Sequence, residues 1–299
     1  MLSAKKSGNR KGKPAASAPK SAAGVSASGG LSVDELKAKA KLLRRHIIEM
    51  TAEAGSGHPG GSLSSADIVT ALYFRVLRHD PHNPHWPDRD RFILSKGHAA
   101  PLLYAALAES GYFPTDELLT LRKLGSRMQG HTDRGITPGV EMSSGALGQG
   151  LSFGIGVALA ARLDGKKHRA YVLMGDGECD EGQVWEAAMA AAHYKLDGIT
   201  AIIDRNNLQI DGWCCDVMNT EPLPDKWRAF GWHVIEVDGH DIEQLIDAFE
   251  QAKSVKGQPT MIIAHTVKGK GVSFMENKAE YHGKPPTAEQ AKRALKELE

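Results

Sequence analysis

Two short polar turns that follow two hydrophobic runs constrain the fold of this chain more than any other feature. Residues 169 to 174 are mostly apolar and lead directly into Gly175-Asp176-Gly177. Residues 199 to 204 form a second apolar run that leads into Asn206-Asn207, and residues 181 to 196 between the runs show a helical pattern. Such runs, bounded by polar residues and glycine, are typical of buried strands in a parallel sheet. The pattern predicts a strand-helix-strand unit with both turns at the carboxyl edge of the sheet, where open α/β folds bind ligands.

The side chains at these turns favour a small hard cation held against a diphosphate. Asp176 supplies a carboxylate, Asn206 supplies an amide oxygen, and a nearby backbone carbonyl can supply a third ligand. Mg²⁺ accepts few protein oxygens and completes its octahedron with water and phosphate oxygens. Gly175 and Gly177 allow the backbone to approach a diphosphate closely. A Gly-Asp-Gly turn alone is weak evidence, and its combination with Asn-Asn after a second strand is what favours this site.

Helices that alternate with short apolar strands predict an α/β fold with a parallel sheet covered by helices on both faces. Ser32, with Glu35 three residues later, predicts the start of a helix that continues to Ala54. Further helices are predicted at 64 to 77, 99 to 110, 115 to 124, 149 to 163, 241 to 253 and 287 to 299. Strands are predicted near 170 to 174, 199 to 204, 233 to 237 and 260 to 265. The Gly-rich stretch at 145 to 156 lacks the third glycine of G-x-G-x-x-G and an obvious preceding strand, which argues against a dinucleotide site.

Composition narrows the class of protein. The chain has 299 residues, of which 41% are hydrophobic and 24% charged, enough for one large domain. The formal net charge of +1 gives no electrostatic case for binding nucleic acid or an anionic membrane. No apolar run approaches the roughly 20 residues that a membrane span needs. Cys179, Cys214 and Cys215 form an odd, unspaced set that suits a reducing cytosol, so we expect a cytoplasmic protein with reduced thiols.

Residues 1 to 30 differ in kind from the rest of the chain. They are rich in Lys, Ser, Ala and Gly, contain no acidic residue and show no apolar periodicity. Such a segment cannot bury enough surface to become ordered, so we expect a disordered basic tail before one domain at 31 to 299. An inert tail is favoured over an arm that binds nucleic acid or an organelle-targeting segment.

Several further motifs resemble the amino-terminal, diphosphate-binding part of transketolase, a thiamin diphosphate-dependent enzyme. They occur in the family's order between about residues 32 and 286 and comprise Ser56-Gly57-His58-Pro59-Gly60, residues 90 to 99, Gly130-His131, residues 145 to 150 and residues 281 to 285. The resemblance implies the thiamin diphosphate-binding fold of the diphosphate-binding type. It also implies thiamin diphosphate and Mg²⁺ as cofactors, with Ca²⁺ or Mn²⁺ able to replace the latter.

The resemblance assigns roles to individual residues. The catalytic residues would be His58, His131 and His282: His58 and His282 would contact sugar hydroxyls and help to move protons, and His131 would hold the terminal hydroxyl of the donor sugar. The metal ligands would be Asp176, Asn206 and the carbonyl of Leu208. The implied cofactor-binding residues are Lys96, His98, Gly145, Ala146, Leu147, Gly175, Asp176, Gly177, Glu178, Asn206, Gln209, Lys268 and His282. Zinc is the rival for the four histidines in these motifs, but spacings of 40, 33 and 151 residues lack the short ligand pairs of zinc sites. The histidines without such a motif are expected to be structural or exposed: His79, His82, His85, His168, His193, His233, His240 and His265.

The reaction implied by the resemblance is the transfer of a two-carbon ketol unit from a ketose phosphate to an aldose phosphate. It proceeds through a carbanion of thiamin diphosphate and belongs to carbohydrate metabolism, in the pentose phosphate pathway. In transketolases a second and a third domain follow, and the second carries the glutamate that hydrogen-bonds the aminopyrimidine. This sequence ends at Glu299, so our hypothesis is the amino-terminal subunit of a split transketolase. It would be active only with a separate chain that holds the pyrimidine-binding and third domains, in an α2β2 heterotetramer.

Other functions are weighed against this hypothesis. A fragment of deoxyxylulose phosphate synthase or the first component of a 2-oxoacid dehydrogenase would use the same cofactor. Residues 95 to 98, 130 to 132 and 282 to 285 favour transketolase over both. A split transketolase specialised for a rarer sugar phosphate, such as a branched one, and a non-catalytic transketolase-like protein are the remaining alternatives. The sequence identifies neither the sugar phosphates nor the partner chain.

Overall fold

The computed structural model describes residues 30 to 299, so the predicted tail lies outside the described residues apart from Gly30. The α-helices are α1 (Val33–Ala54), α2 (Pro59–Ser64), α3 (Ala66–Ala71), α4 (Ala100–Glu109), α5 (Gln149–Leu163), α6 (Gly182–His193), α7 (Cys214–Val217), α8 (Leu223–Ala229), α9 (Ile242–Ser254) and α10 (Ala288–Glu297). The strands are β1 (Arg91–Leu94), β2 (Ala170–Gly175), β3 (Ile199–Arg205), β4 (Leu208–Gln209), β5 (Gly212–Trp213), β6 (His233–Asp238) and β7 (Thr260–His265). One π-helical turn, Leu72–Val76, continues α3, and 3-10 turns occur at Gly97–Ala99, Thr115–Thr120, Gly177–Asp180 and Ala279–His282.

Five strands form one parallel sheet in the order β1-β2-β3-β7-β6. β2 pairs with β3 so that Gly175 lies opposite Asp204, and β3 pairs with β7 so that Asp204 lies opposite Ala264. The carboxyl ends of these strands therefore meet at one edge, as the sequence predicted for the two turns. β4 and β5 form a separate antiparallel hairpin just beyond that edge.

Helices cover both faces of the sheet because consecutive strand residues point to opposite sides. Tyr171 and Leu173 of β2 belong to an apolar cluster with α1, α3, α4 and α9. Val172 and Met174 belong to a second cluster with α5, α6 and α8. Burying each large apolar side chain contributes about 1.5–3 kcal/mol, so the two faces hold the sheet from both sides. The predicted α/β class with a doubly covered parallel sheet is confirmed.

Local signals placed the long helices well. Ser32 begins α1 with a capping box: its side chain accepts from the Glu35 backbone N–H, and the Glu35 carboxylate accepts from the Ser32 backbone N–H. Among the described helices, none is long and apolar enough to cross a membrane. Cys179, Cys214 and Cys215 are free, and only Cys215 is exposed.

Some predicted elements were wrong. The helix predicted at 64 to 77 is broken at Ser65 and ends in the π-helical turn, and the helix predicted at 115 to 124 is a 3-10 turn that stops at Thr120. The edge strand β1 and the short helices α2, α7 and α8 were not predicted. β1 has only four residues and α8 seven, too few to show a period in sequence.

Candidate active site

A cavity of about 180 Å³ lies at the carboxyl edge of the sheet, between the loops that follow β1, β2, β3 and β7. Each loop brings at least one polar side chain that the sequence analysis had selected, among them Lys96, Asp176, Asn206 and Lys268. The cavity is lined by Lys96, His98, Leu147, Gly175, Asp176, Gly177, Glu178, Asn206, Leu208, Gln209, Ile210, Lys268 and His282. Most of the predicted cofactor-binding residues therefore surround one space, although they come from segments far apart in sequence.

Asp204, at the end of β3, is the buried centre of this edge and is 0% exposed. Its carboxylate accepts hydrogen bonds from the Lys96 Nζ at 2.5 Å, the Ser64 Oγ at 2.7 Å, the Asn206 Nδ2 at 2.8 Å and the Thr266 Oγ1. Burial by itself would raise the pKa of Asp204, but the Lys96 ammonium and the hydroxyl donors hold that pKa at about 2. Asp204 is thus a fully compensated carboxylate.

Lys96 is engaged entirely with protein atoms. Besides Asp204, its ammonium donates to the carbonyl of Gly61 at 2.8 Å and to the Ser65 Oγ at 2.6 Å. These three contacts use all the donors of an ammonium group. Lys96 was predicted as a cofactor-binding residue. It lines the cavity, but its three ammonium donors are all bound to acceptors within the protein.

Asp176 and Asn206 present oxygen atoms at the cavity. The amide nitrogen of Asn206 donates to Asp204, so its amide oxygen is the atom available to a ligand. That oxygen accepts one hydrogen bond, from the Leu208 N–H at 3.1 Å, and keeps a second lone pair. Asp176 is 4% exposed, and within residues 30 to 299 its carboxylate accepts from the backbone N–H groups of Gly177 and Asn207. Burial, with Asp204 nearby, raises the pKa of Asp176 to about 6. Asp176 makes no salt bridge among residues 30 to 299, although the nearby Lys268 ammonium acts to lower its pKa. A bound Mg²⁺ would neutralise a buried carboxylate of this kind.

The carbonyl of Leu208, the third predicted metal ligand, contacts Lys268. The Lys268 Nζ donates to the carbonyl of Leu208 at 2.7 Å and to the His282 Nδ1 at 2.9 Å, and Lys268 is 2% exposed. A carbonyl oxygen has two lone pairs, so this contact leaves one for a metal. Burial lowers the pKa of Lys268 to about 8, which keeps it mostly charged at pH 7. The oxygens of Asp176, Asn206 and Leu208 fit a hard cation, with Lys268 as an adjacent positive charge.

The four motif histidines lie together. His58 has ring centroids 5.5, 5.9 and 5.7 Å from those of His98, His131 and His282, and the His98 and His282 rings stack at 4.8 Å. Burial is the largest cause that lowers the pKa of each ring, to about 4 for His58 and about 3 for His282, with Arg122 or Lys268 adding to it. Burial likewise lowers the pKa of His98 and of His131. At pH 7 the cluster therefore consists of neutral imidazoles, which can each donate and accept a hydrogen bond.

His58 and His131 extend the site beyond the cavity wall. Neither lines the cavity itself, and the Nδ1 of His58 is buried with no partner among residues 30 to 299. A buried nitrogen of this kind fits a ligand that brings its own hydroxyl group. Gly145 and Ala146, predicted to touch the cofactor, are exposed and do not line the cavity, whereas Leu147 does.

Glu178 braces two loops against each other. Its carboxylate accepts from the backbone N–H groups of Gly148 at 2.9 Å and Gly175 at 3.0 Å, and from the hydroxyl of Ser95. Gly150 is required beside it, because a Cβ there would lie 2.3 Å from the Ser95 side chain. Glu178 was predicted to bind the cofactor; the structure places it in the wall with its oxygens already bound.

Sequence reasoning missed three contributors to the site. Asp204, Ser64 and Thr266 build the buried network but belong to no motif that was recognised. The one available signal was a carboxylate that ends the apolar run 199 to 203. Ile210 lines the cavity beside Gln209, whose side chain donates to Asp180 at 3.1 Å.

The histidines do not form a metal centre of their own. Within the described residues, no group of three or more His, Cys, Asp or Glu side chains is arranged to hold a metal ion. The Asp176 set contains a single carboxylate, and its other two ligands are an amide oxygen and a backbone oxygen. Such a site leaves several positions of an octahedral ion to water or phosphate.

Comparison with known proteins agrees with this geometry. The family model described as "Transketolase, thiamine diphosphate binding domain" matches residues 36–298. The chain is 49% identical over 265 residues to the 6-deoxy-6-sulfo-D-fructose transketolase subunit SqwG of Clostridium sp. (strain MSTE9), covering 89% of this chain and 96% of that protein. It is 47% identical over 269 residues to a subunit of the apulose-4-phosphate transketolase of Actinobacillus succinogenes, covering 90% of this chain and 97% of that protein.

A solved structure shows the same fold. The transketolase from Campylobacter jejuni subsp. jejuni NCTC 11168 superposes with a TM-score of 0.85 at 37% identity, over 90% of this chain. The chain spans only 43% of that longer protein. The predicted family, fold class and class of enzyme are confirmed, and the chain belongs to the transketolase family.

Proposed function

We propose that this chain binds thiamin diphosphate and Mg²⁺ and, together with a second chain, transfers a two-carbon ketol unit between sugar phosphates. The observation that carries the proposal is the cavity at the carboxyl edge, which brings together three oxygen-bearing residues, the Lys268 ammonium and two neutral histidines. His58 and His131 adjoin these histidines outside the cavity wall. When bound, thiamin diphosphate supplies a nucleophilic carbon that can cleave the bond between C2 and C3 of a ketose.

The oxygens of Asp176, Asn206 and Leu208 would hold Mg²⁺, and Ca²⁺ or Mn²⁺ offers the same preference for oxygen. Lys268 and His98 face the cavity and would donate to diphosphate oxygens. Lys96 contributes positive charge but no free donor, since its hydrogens are bound inside the protein. Its role in this proposal is to fix Asp204 and thereby the orientation of the Asn206 amide.

The histidines would handle the sugar. A neutral imidazole can accept a proton from a hydroxyl and return it, which is the service that cleavage and re-formation of a ketol require. His58 has the buried, unpaired Nδ1, and His131 lies next to it at the outer side of the cluster. His282 is held by Lys268 and adjoins His98. We assign His58, His131 and His282 to the sugar hydroxyls on this basis.

The second chain would hold the pyrimidine-binding and third domains. Two observations support a separate partner: relatives named as transketolase subunits are covered over 96% and 97% of their length, while the Campylobacter transketolase is covered over 43%. We propose an α2β2 assembly, which acts in carbohydrate metabolism in the cytoplasm.

A specialised sugar is a second candidate for the substrate. The relatives at 49% and 47% identity are named for 6-deoxy-6-sulfo-D-fructose and apulose-4-phosphate, which favours a ketose outside the pentose phosphate pathway. Both candidates use the same cofactor site, and they differ only in the sugar that the assembled enzyme accepts.

The testing experiment is a ketol-transfer assay with thiamin diphosphate and Mg²⁺. The chain is assayed alone and with the product of the adjacent reading frame, using xylulose 5-phosphate as donor and ribose 5-phosphate as acceptor. Activity only in the mixture supports the proposal, and an Asp176→Asn chain in the same mixture should be inactive. Transfer only with apulose 4-phosphate or 6-deoxy-6-sulfo-D-fructose selects the specialised enzyme. Full turnover by the chain alone would contradict the need for a partner.

A further inference from the structure

A buried group of three side chains joins two helices to the loop that follows β7. Arg44 lies on α1, Asp67 on α3 and His240 in the turn between β6 and α9. Their side chains are at most 13% exposed. The sequence analysis had left His240 as structural or exposed, and none of the three lines the cavity.

Asp67 is the acceptor at the centre of this group. Its two carboxylate oxygens accept from Arg44 at 3.1 and 2.6 Å, and one of them also lies 2.8 Å from the Nδ1 of His240. Burial alone would raise the pKa of Asp67, but the bond from His240 and the Arg44 guanidinium lower it below the ordinary value. A buried ion pair is weak evidence for net stability, because desolvation of its charges offsets much of their attraction.

The geometry fixes the tautomer of His240. The Val267 backbone N–H donates to the Nε2 of His240 at 2.9 Å, and a backbone N–H can only donate. Nε2 is therefore the unprotonated nitrogen, so the ring proton sits on Nδ1 and is donated to Asp67. A histidine bound by a carboxylate on one side and by a backbone N–H on the other has one ring orientation that satisfies both.

Val267 directly precedes Lys268, and this connects the group to the cavity. The neighbouring N–H groups of Thr266 and Gly269 are bound to backbone carbonyls of Arg205 and Gly60, whereas that of Val267 is bound to a side chain. Lys268 in turn donates to the Leu208 carbonyl and to the Nδ1 of His282. An ammonium can only donate, so His282 carries its proton on Nε2.

We propose that Arg44, Asp67 and His240 are positioning residues: they fix the Val267 amide, place the Lys268 ammonium, and so set the proton of His282 on Nε2. The contacts stand without any ligand. The expected effect on thiamin diphosphate affinity rests on the proposed function. The experiment measures that affinity separately from the contacts.

Two substitutions test the two hydrogen bonds of the His240 ring separately. In His240→Asn the amide nitrogen can replace Nδ1 and still donate to Asp67, but nothing accepts from Val267. In His240→Gln the side-chain oxygen can replace Nε2 and accept from Val267, but the donor to Asp67 is lost. His79→Asn is the matched control, because His79 is a partly buried histidine bound to the Tyr73 carbonyl and the Tyr112 hydroxyl.

The first readouts use the full chain without cofactor. Hydrogen exchange of residues 266 to 271 should rise about tenfold in His240→Asn, less in His240→Gln, and not at all in His79→Asn. Nitrogen chemical shifts should place the proton of His282 on Nε2 in the parent chain and show a mixture of tautomers in His240→Asn. Unchanged exchange and an unchanged His282, with only a lower Tm, would overturn the proposal. An equal rise in both His240 variants would also overturn the assigned role of Nε2.

One test uses only the unsubstituted chain, so it remains valid if a variant fails to fold. The nitrogen shifts of His240 should show a proton on Nδ1 and none on Nε2, and the reverse result would overturn the proposal. Binding of thiamin diphosphate with Mg²⁺ to the full chain with its partner is then compared between variants, and the Kd should rise about tenfold in His240→Asn. If the parent binds no thiamin diphosphate, the proposed function fails, while the exchange and tautomer results still decide the positioning role.

Discussion

Two buried carboxylates stand at the ends of neighbouring strands and differ in how their charge is balanced. Asp204 ends β3 within contact of the Lys96 ammonium, two hydroxyl groups and an amide. Asp176 follows β2 and, in the described part of the chain, accepts hydrogen bonds from two backbone N–H groups. The pKa of Asp204 is held at about 2 by its partners, whereas burial raises the pKa of Asp176 to about 6.

This difference suggests a structural role for Asp204 and a ligand-binding role for Asp176. The Asp204 network is complete inside the chain and orients the Asn206 amide. Asp176 makes no salt bridge among residues 30 to 299, and in the proposed function a bound cation would contact its carboxylate directly. A chain that buried both carboxylates without compensation would lose stability, because an unpaired buried charge is expensive. The fold compensates Asp204, and in the proposed function the metal would compensate Asp176.

The largest effect is expected from Lys96→Met. The substitution leaves the Asp204 carboxylate buried without its ammonium, which costs about 3–5 kcal/mol of unfolding free energy. Urea denaturation of the full chain measures it. Lys123→Met is the control, since Lys123 and Glu53 form a pair that is about half exposed and worth less than about 1 kcal/mol. Equal effects of the two substitutions would show that Asp204 does not depend on Lys96.

Thr266→Val tests the same network with a smaller change. It removes the hydroxyl that donates to Asp204 and keeps the shape of the side chain. A hydrogen bond to a charged group contributes about 1.5–3 kcal/mol, so we expect a loss of that size in urea denaturation. Thr287→Ala, which removes the capping box of α10, is a control of about 1 kcal/mol away from the cavity. A Thr266→Val chain as stable as the parent would contradict the account of Asp204.

Asp176→Asn should separate stability from binding. In the chain without cofactor it removes a buried charge, which is favourable, and loses one of the two backbone hydrogen bonds, because an amide nitrogen cannot accept from an N–H. The two effects oppose each other, so the unfolding free energy should change by less than about 1 kcal/mol. Retention of thiamin diphosphate in the presence of Mg²⁺, measured by equilibrium dialysis, should weaken at least about tenfold. Retention equal to the parent's would show that Asp176 is not a metal ligand.

The histidine cluster should make the unfolding free energy of the chain fall at acidic pH. Replacing a single ring should give the smallest of the predicted effects. The pKa of His58 is lowered from 6.5 to about 4, so between these values the unfolded chain binds a proton that the folded chain does not. Stability therefore falls as the pH falls from about 6.5 to about 4. His58→Gln should make this fall shallower by less than one proton per molecule, measured by urea denaturation across that range. An unchanged slope would place a charged His58 in the folded chain.

Much of the fold was accessible from sequence because the long segments carry strong periodic signals. β2, β3 and β7 are largely apolar runs, β6 carries three apolar residues in six, and the cap at Ser32 fixes the start of α1. β1 was missed because four residues show no period, although they lie inside the recognised motif at residues 90 to 99. The break at Ser65 was missed because the apolar pattern continues through it.

The site was accessible only in part, because motifs mark residues and not their partners. The pairing of Lys96 with Asp204 joins positions 108 apart, and that of Asp67 with His240 joins positions 173 apart. The motif around Lys96 indicated a cofactor ligand, yet the fold turns its ammonium inward. The turns at Asp176 and Asn206 were more informative because β2 and β3 are adjacent in the sheet, which brings the two turns together.

The most direct test of the contrast between the two carboxylates is to locate the cation. Crystals of the chain with its partner, grown with thiamin diphosphate and Mn²⁺ in place of Mg²⁺, would reveal the ion by its anomalous scattering. We predict one Mn²⁺ bound by oxygens of Asp176, Asn206 and Leu208, with Asp204 still bound to Lys96. An ion bound at Asp204 or among the histidines, or cofactor bound with no ion at Asp176, would contradict the account.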